Sequence, residues 1–251
     1  TGVQTCALPI YRLIKVRGMR QVSDDLFEGW TTYEKVVAAD YMHQQVYFAD
    51  LLKAVRASPS GISLTVLDLG CGDAQPIVPL LQQLSVKTYT GVDDSDSALN
   101  QAASRLAEYA DKVLLVQKDM RDVELDGPYD LIVASYSLHH LTADEKQAML
   151  HRCRKLLSPG GLMAVIDVFR RENEALSDYH QRWADYALDR YDNLTEAELA
   201  ELIGHVKGND LPEPPSAYEK MAEAAGLLLK QFTVEGDERL NAMMIFAAPD
   251  D

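Results

Sequence analysis

The sequence predicts an α/β fold: a doubly wound, mostly parallel seven-stranded sheet ending in an antiparallel hairpin, with a helical leader before it and a helical lid inserted into it. Three observations carry this expectation. Short β-rich apolar runs alternate with helical-period segments between residues 64 and 168, the pattern of a parallel sheet covered on both faces. After Phe169 the alternation gives way to a polar, aromatic, helical stretch. Two last apolar runs then flank Gly236-Asp237, a turn that folds one strand back on the other.

Taken in order, residues 1–10 (TGVQTCALPI) resemble the in-frame translation of a sequencing-library adapter. The adapter's leftover final base agrees with Tyr11, and Met19 becomes the expected native start. Residues 1–10 are therefore set apart from fold reasoning, Cys6 with them, and 1–18 as a whole is read as adapter translation and upstream leader. Residues 19–61 form the leader, in which Val37, Tyr41, Phe48, Leu52 and Val55 recur at helical spacing and predict one long helix over 31–56. Ser58-Pro59-Ser60-Gly61 ends it. The core, 62–251, carries expected strands at 64–69, 88–92, 113–116, 131–134 and 162–168, with helices at 77–84, 97–109 and 143–157. The insertion spans about 171–208, is helical from 171 to 205, and ends at Leu211-Pro212-Glu213-Pro214-Pro215. A helix over 216–225 stops at Gly226, placed as a C′ residue, and strands follow at 228–234 and 242–247.

Composition narrows the function. With 251 residues, 47% hydrophobic and 25% charged, the chain reads as one soluble domain with additions. Lys and Arg number 24 against 39 Asp and Glu, a net charge of -15 that repels a phosphate backbone, so a nucleic-acid partner is not expected. No apolar run is long enough for a membrane span and no signal-peptide block is present, so the expected setting is cytoplasmic, without a membrane partner. The remaining cysteines, Cys71 and Cys153, lie in no CxxC or His/Cys cluster; neither a disulfide framework nor a metal site is expected.

The segment with most chemical content is Val66-Leu67-Asp68-Leu69-Gly70-Cys71-Gly72-Asp73-Ala74, a buried strand that enters a glycine turn and then a helix near Pro76. Glycines let a ligand lie against bare N–H groups, and a helix N-terminus favours negative charge. Gly-x-Gly alone is also a common turn. Asp93, 21 residues after Gly72 at the end of the second strand, adds a carboxylate placed to accept two ribose hydroxyls. Alone, Asp94-Ser95-Asp96 reads equally as a helix-capping turn, and Asp119 as a loop carboxylate.

Together these spacings resemble the class I S-adenosylmethionine-dependent methyltransferases over about residues 64–168, with weaker extension to the end. The resemblance implies S-adenosylmethionine as cofactor and S-adenosylhomocysteine as product. It implies that Asp68, Gly70, Cys71 and Gly72 hold the methionine moiety, with the Ser135 carbonyl beside its amino group. Asp93 would take the ribose, Asp94 would lie beside the adenine, Asp119 would accept from its amine and the Met120 N–H would meet a ring nitrogen. Tyr129-Asp130-Leu131-Ile132-Val133 matches the family's fourth strand, and Leu157-Ser158-Pro159-Gly160-Gly161 the turn before its fifth. Ala74 stands where the family has a third loop glycine, and Gln75 stands where a nicotinamide fingerprint needs glycine.

For methyl transfer, the expected acceptor site is Ser135-Tyr136-Ser137-Leu138-His139-His140-Leu141, at the carboxyl end of the fourth strand. The Pro-Pro-aromatic signature of base-methylating relatives is absent, so the acceptor is expected to be a small molecule, with its N, O or S nucleophile left open. His140 and His139 are candidate bases, although a histidine here also reads as structural. Trp30, Tyr33, Tyr41 and Tyr47 in the leader are candidate lid residues, and Tyr33 joins the histidines as a candidate catalytic residue. In the insertion, Tyr179, Trp183, Tyr186 and Arg190 share one helix face that either packs on the leader or walls the substrate. Arg170 and Arg171 are placed to meet a substrate carboxylate, and Asp167 an amine; each also reads as solvated or structural. An aminopropyl-type transferase and a non-catalytic cofactor-binding module are the alternative functions.

Overall fold

The structure is a computed structural model describing residues 12–15, 30–58, 63–236 and 238–249. Its strands are β1 (Arg12–Lys15), β2 (Leu64–Leu69), β3 (Val86–Asp93), β4 (Val113–Gln117), β5 (Tyr129–Ser135), β6 (Leu157–Val168), β7 (Leu228–Glu235) and β8 (Asn241–Ala247). They form one sheet in the order β1-β4-β3-β2-β5-β6-β8-β7. All neighbours from β1 to β6 are parallel, and β8 joins β6 and β7 antiparallel. The seven expected strands are present with their terminal hairpin. An eighth, β1, not expected from the sequence, adds to the β4 edge and lies between the adapter-like residues 1–10 and Met19.

The strand order runs outward from β2 in one direction and from β5 in the other, so the crevice above the carboxyl ends of β2 and β5 is the topological switch point where open α/β sheets bind ligands. The core follows from strand alternation. Val66, Leu131 and Val133 face one cluster with Leu51, Leu80 and Leu99, while Leu67, Ile132 and Ala134 face the other with Leu150, Tyr218 and Phe246. The helices supplying these clusters are α2 (Gln44–Ala57), α3 (Val78–Leu81) and α4 (Asp96–Arg105) on the first face, and α5 (Ala143–Leu156) and α8 (Pro215–Ala224) on the second.

Three expectations are corrected. The leader is two helices, α1 (Trp30–Ala38) and α2, because Asp40 and His43 take left-handed backbone (φ 53 and 54), which a helix cannot pass through. The Asp40 carboxylate instead accepts from the Gln45 N–H at 3.2 Å. The insertion is likewise split, into α6 (Leu176–Arg190) and α7 (Glu196–Asn209), the second opened by a Thr195/Glu198 capping box. The expected helix over 77–84 is a single α-helical turn, α3. Gly226 takes the left-handed conformation expected after α8 (φ 78). The Trp30 side chain, Met19, 59–62 and Asp237 lie outside the described residues. Among the described residues no helix is long and apolar enough to cross a membrane, and both Cys71 and Cys153 are buried free thiols.

Candidate active site

The glycine turn leaves β2 directly beside β5, since Leu69 pairs with Ala134 and the next residues on each strand are Gly70 and Ser135. Gly70 has φ 69, and a Cβ on it would come within 2.4 Å of the Ser137 Cβ and 3.2 Å of the Met120 Cε. No larger residue fits there. The Ser137 hydroxyl donates to the Leu69 carbonyl at 2.8 Å, and the Gly70 and Cys71 amides donate to the Val92 carbonyl at 2.8 and 3.0 Å. The loop is thereby fixed to both neighbouring strand ends. Gly72 (φ 53) has open space where a side chain would point. Ala74, in place of a third glycine, takes φ 59 and is fully buried, so its methyl is accommodated in a conformation L-residues disfavour.

Acidic groups converge on this loop. Asp93, at the tip of β3, accepts from Gly72 N–H at 2.8 Å through Oδ2 and from Ser95 N–H at 3.0 Å through Oδ1. Each carboxylate oxygen retains acceptor capacity for a ligand hydroxyl. Burial raises its pKa to about 6, against the opposing effect of those two N–H bonds. Asp68 is buried and accepts from the Tyr89 hydroxyl at 2.8 Å; burial, opposed by that bond and assisted by the Asp93 charge, lifts its pKa to about 7. Asp73 is buried and paired with Arg105 at 2.8 Å, a structural pair that no sequence signal singled out. Tyr33, on α1, reaches over this group: burial and then the charges of Asp73, Asp93 and Asp68 raise its phenol pKa. Its electrostatic neighbours are thus the acids of the glycine-loop side.

Further along the strand ends, Asp94 is exposed and its carbonyl accepts from Gln117. Asp119 is gripped by Arg121, whose Nε lies 2.9 Å from both carboxylate oxygens. Arg121 outweighs the effect of burial and lowers the Asp119 pKa. The Met120 carbonyl accepts from Arg152 at 2.9 Å, while its side chain closes on Gly70.

The second half of the crevice is built from β5 onward. Tyr136 has φ 51, reversing the chain so that Ser137 reaches Gly70, and its hydroxyl donates to the Met42 carbonyl in the break between α1 and α2. A 3-10 turn over Leu138–His140 then presents the two histidines. His139 is buried; its Nδ1 lies 2.5 Å from Asp167 Oδ1 and its backbone N–H donates to Asp167 Oδ2 at 3.0 Å. Burial alone would lower the His139 pKa, but the charges of Asp167 and Asp210 outweigh it and raise it to about 9. His140 is its opposite: its side chain is 42% exposed, and the enclosing chain, then His139 and His205, hold its pKa well below the histidine range. The Lys146 ammonium, buried beneath, donates to the carbonyls of Leu141 and Leu211 and ties the turn to the end of the insertion.

The expected lid aromatics pack on one another. Tyr41 stacks on Tyr191 with ring centroids 4.1 Å apart and donates to Asp192 at 2.8 Å. Trp183 and Tyr186 meet the same Tyr191 ring edge-on, and Tyr179 is buried in this cluster. Lys35 on α1 pairs with Glu198 on α7 at 2.6 Å. The helix stripe therefore joins insertion to leader, the packing alternative of the sequence reading. Tyr47 instead donates to the Asn241 carbonyl at 2.7 Å and anchors α2 to the terminal hairpin. Arg170 pairs with Glu213 at 2.8 Å, and exposed Arg190 with Asp189. The sequence reading missed Lys146 and Asp210, gave Tyr136 no role beyond its place in the acceptor segment, and named Asp167 only as a partner for a substrate amine. Their partners lie on other elements, and no short-range spacing announces them. Nor was a metal-capable cluster expected, yet His139, His140 and Asp210 offer ligand atoms within 4.8 Å of one another.

Comparisons with known proteins agree with this geometry. A family profile described as a methyltransferase domain matches residues 67–163. An uncharacterized methyltransferase of Bacillus licheniformis is 30% identical over 188 residues, covering 69% of this chain and 84% of the relative. One of Geobacillus sp. is 31% identical over 155 residues, covering 60% of this chain and 69% of the relative. Among solved structures, the magnesium protoporphyrin IX methyltransferase of Synechocystis with bound SAH superposes with a TM-score of 0.63 at 16% identity, covering 89% of this chain and 96% of that one. This last likeness is one of fold.

Proposed function

This chain belongs to the class I S-adenosylmethionine-dependent methyltransferases, and we propose that it methylates a nitrogen, oxygen or sulfur atom of a small molecule in a cytoplasmic setting. The carrying observation is the Gly72–Asp93 hydrogen bond, which joins the glycine loop to an acid with acceptor capacity to spare at the topological switch point. The residues present fit the cofactor. Gly70 leaves a cradle that a Cβ would fill, and the buried Ser135 hydroxyl oxygen at the rim has no protein partner.

In this reading Asp93 holds the ribose hydroxyls, Asp68 and the Ser135 carbonyl hold the methionine ammonium, and Gly70, Cys71 and Gly72 lie against the methionine moiety. Asp94 flanks the adenine, while Asp119 and the Met120 N–H meet its edge, Asp119 sharing its carboxylate with Arg121. When bound, the cofactor supplies a sulfonium methyl that an acceptor lone pair takes in line, the S–C bond breaking to release S-adenosylhomocysteine. The chain's own work is alignment, water exclusion and disposal of the acceptor's proton. His139, held by Asp167 through its ring and its backbone N–H, positions the turn. His140, neutral and half-open, is the candidate base, a weak one while its ring is enclosed, and Tyr33 closes the cofactor side from α1. The small-molecule acceptor is supported by the paired leader and insertion helices beside the crevice and by a net charge that disfavours nucleic acid.

The test is calorimetric titration with S-adenosylmethionine, followed by isotope-labelled methyl transfer to a panel of amines, thiols, phenols and carboxylates. Saturable binding and one labelled acceptor class are expected. No binding removes the cofactor assignment; binding together with aminopropyl transfer from the decarboxylated cofactor would replace the reaction.

A further inference from the structure

We propose that His139, His140 and Asp210 form a binding site for one divalent first-row transition metal ion. The three residues come from two distant segments, the 3-10 turn after β5 and the end of α7, brought together where the Leu211 N–H donates to the His139 carbonyl at 2.7 Å. Asp210 has a side chain only 5% exposed, and its Oδ1 has no hydrogen-bond partner. A buried carboxylate oxygen without a donor is costly to maintain. Two imidazole nitrogens face that oxygen, His139 Nε2 and His140 Nδ1, each at 3.7 Å.

That separation is too long for a direct hydrogen bond and informative about what would lie between. Ligands about 2.0–2.1 Å from a tetrahedral zinc-like ion are about 3.3 Å apart. Groups bonded at about 2.8 Å to a bridging water are about 4.6 Å apart. At 3.7 Å the two pairs to Asp210 lie nearer the metal value, and with all three ligand atoms within 4.8 Å of one another a bound ion would draw the two histidine nitrogens together. The tautomer agrees. His139 Nδ1 is committed to Asp167 at 2.5 Å, which leaves Nε2 as the coordinating nitrogen once the ion replaces its proton. A carboxylate on the far nitrogen is the usual support of a metal-bound histidine. Two imidazoles and one carboxylate, with positions left open, suit Zn²⁺, Co²⁺ or Fe²⁺ rather than Mg²⁺ or Ca²⁺, which prefer all-oxygen sets.

The ion site stands on these contacts alone; its consequence for catalysis rests on the methyl-transfer reading. There, an open coordination position would bind an acceptor hydroxyl or thiol and lower its pKa, taking over the proton-disposing task from His140.

The test uses the full chain, stripped with EDTA and dialysed, without cofactor or acceptor. Co²⁺ is titrated while its visible ligand-field absorption is followed, and Zn²⁺ is added in competition. The expected result is saturation at one Co²⁺ per chain, with affinity falling about 100-fold or more in His140→Ala and Asp210→Asn and about 10- to 100-fold in Asp167→Asn. His151→Ala, an exposed histidine of α5, should bind as wild type. Circular dichroism checks each fold; if Asp210→Asn does not fold, His140→Ala, altered at a half-open side chain, carries the test. Absence of saturable absorption, the result expected of a bridging water, overturns the proposal. So does Co²⁺ affinity unchanged by His140→Ala. Because no methyl donor is present, failure here and failure of the methyltransferase reading are separate results.

Discussion

The two halves of the crevice are built by different means. On the side of β2 and β3, the working parts are mainly backbone: a bare Gly70, amides turned toward the Val92 carbonyl, and two carboxylates, Asp93 hung from a strand tip and Asp68 buried in β2. On the side of β5 and β6, they are side chains paired across long stretches of chain, such as His139 with Asp167, Tyr41 with Asp192 and Lys35 with Glu198. Backbone geometry tolerates almost no substitution but needs little support. Side-chain pairs can be exchanged one by one, so the first half suits an invariant ligand and the second a variable one.

The comparison is broken most directly at Asp93. Asp93→Ala should remove about 1.5 to 3 kcal/mol of cofactor binding for each charged hydrogen bond lost, with the fold retained. Calorimetry beside circular dichroism reads both, and an unchanged Kd in a folded variant would reduce Asp93 to a loop-closing residue. On the other half, His140→Asn should lower kcat about 100-fold while leaving cofactor Kd at the wild-type value. Because burial and the neighbouring charges hold the His140 pKa far down, the wild-type rate should show no acid limb from this group across the ordinary histidine range. A limb near pH 6.5 that disappears in His140→Asn would mean the ring is more open to water than its surroundings indicate.

A smaller effect sharpens the contrast on the backbone side. Asp68 titrates near 7 in the folded chain, above its unfolded value, so the folded state holds the extra proton between about pH 4 and 7 and loses stability as pH rises through that interval. An ammonium placed against it should expel that proton, giving release of up to about half a proton per cofactor at pH 7. Calorimetry in buffers of different ionisation enthalpy measures this, and Asp68→Asn should abolish it. The smallest effect belongs to Lys35→Ala. Its pair with Glu198 is a surface pair of small worth, so hydrogen exchange in α7 should quicken severalfold at most with cofactor binding untouched. Exchange unchanged from wild type would show that the aromatic stack alone holds insertion to leader.

The same division governs what could be read from the sequence. The seven core strands, the switch from β2 into a glycine turn and the acid 21 residues later were legible because alternation and fixed spacing report local backbone. The Thr195-x-x-Glu198 signature that splits the insertion was also present in the sequence and went unread. The break at Asp40 and His43 was harder, since helical periodicity continues across it and only the left-handed backbone of two ordinary residues interrupts it. His139 and His140 were singled out by position, but the opposite directions in which their pKa values are pushed depend on Asp167, Asp210 and His205, which only the folded chain places there. Edge strand β1 is four residues long, too short for alternation to mark it, and only its pairing with β4 defines it.

Tyr136 bears on how such an enzyme could be re-engineered. Its reversed backbone feeds the glycine cradle through Ser137, and its hydroxyl holds the linker between α1 and α2. Grafting a foreign leader to alter acceptor choice would thus also disturb cofactor affinity unless residues 136 and 137 travelled with it. The productive unit for chimeras is discontinuous: both leader helices, the turn after β5, Asp167 and the insertion through Asp210.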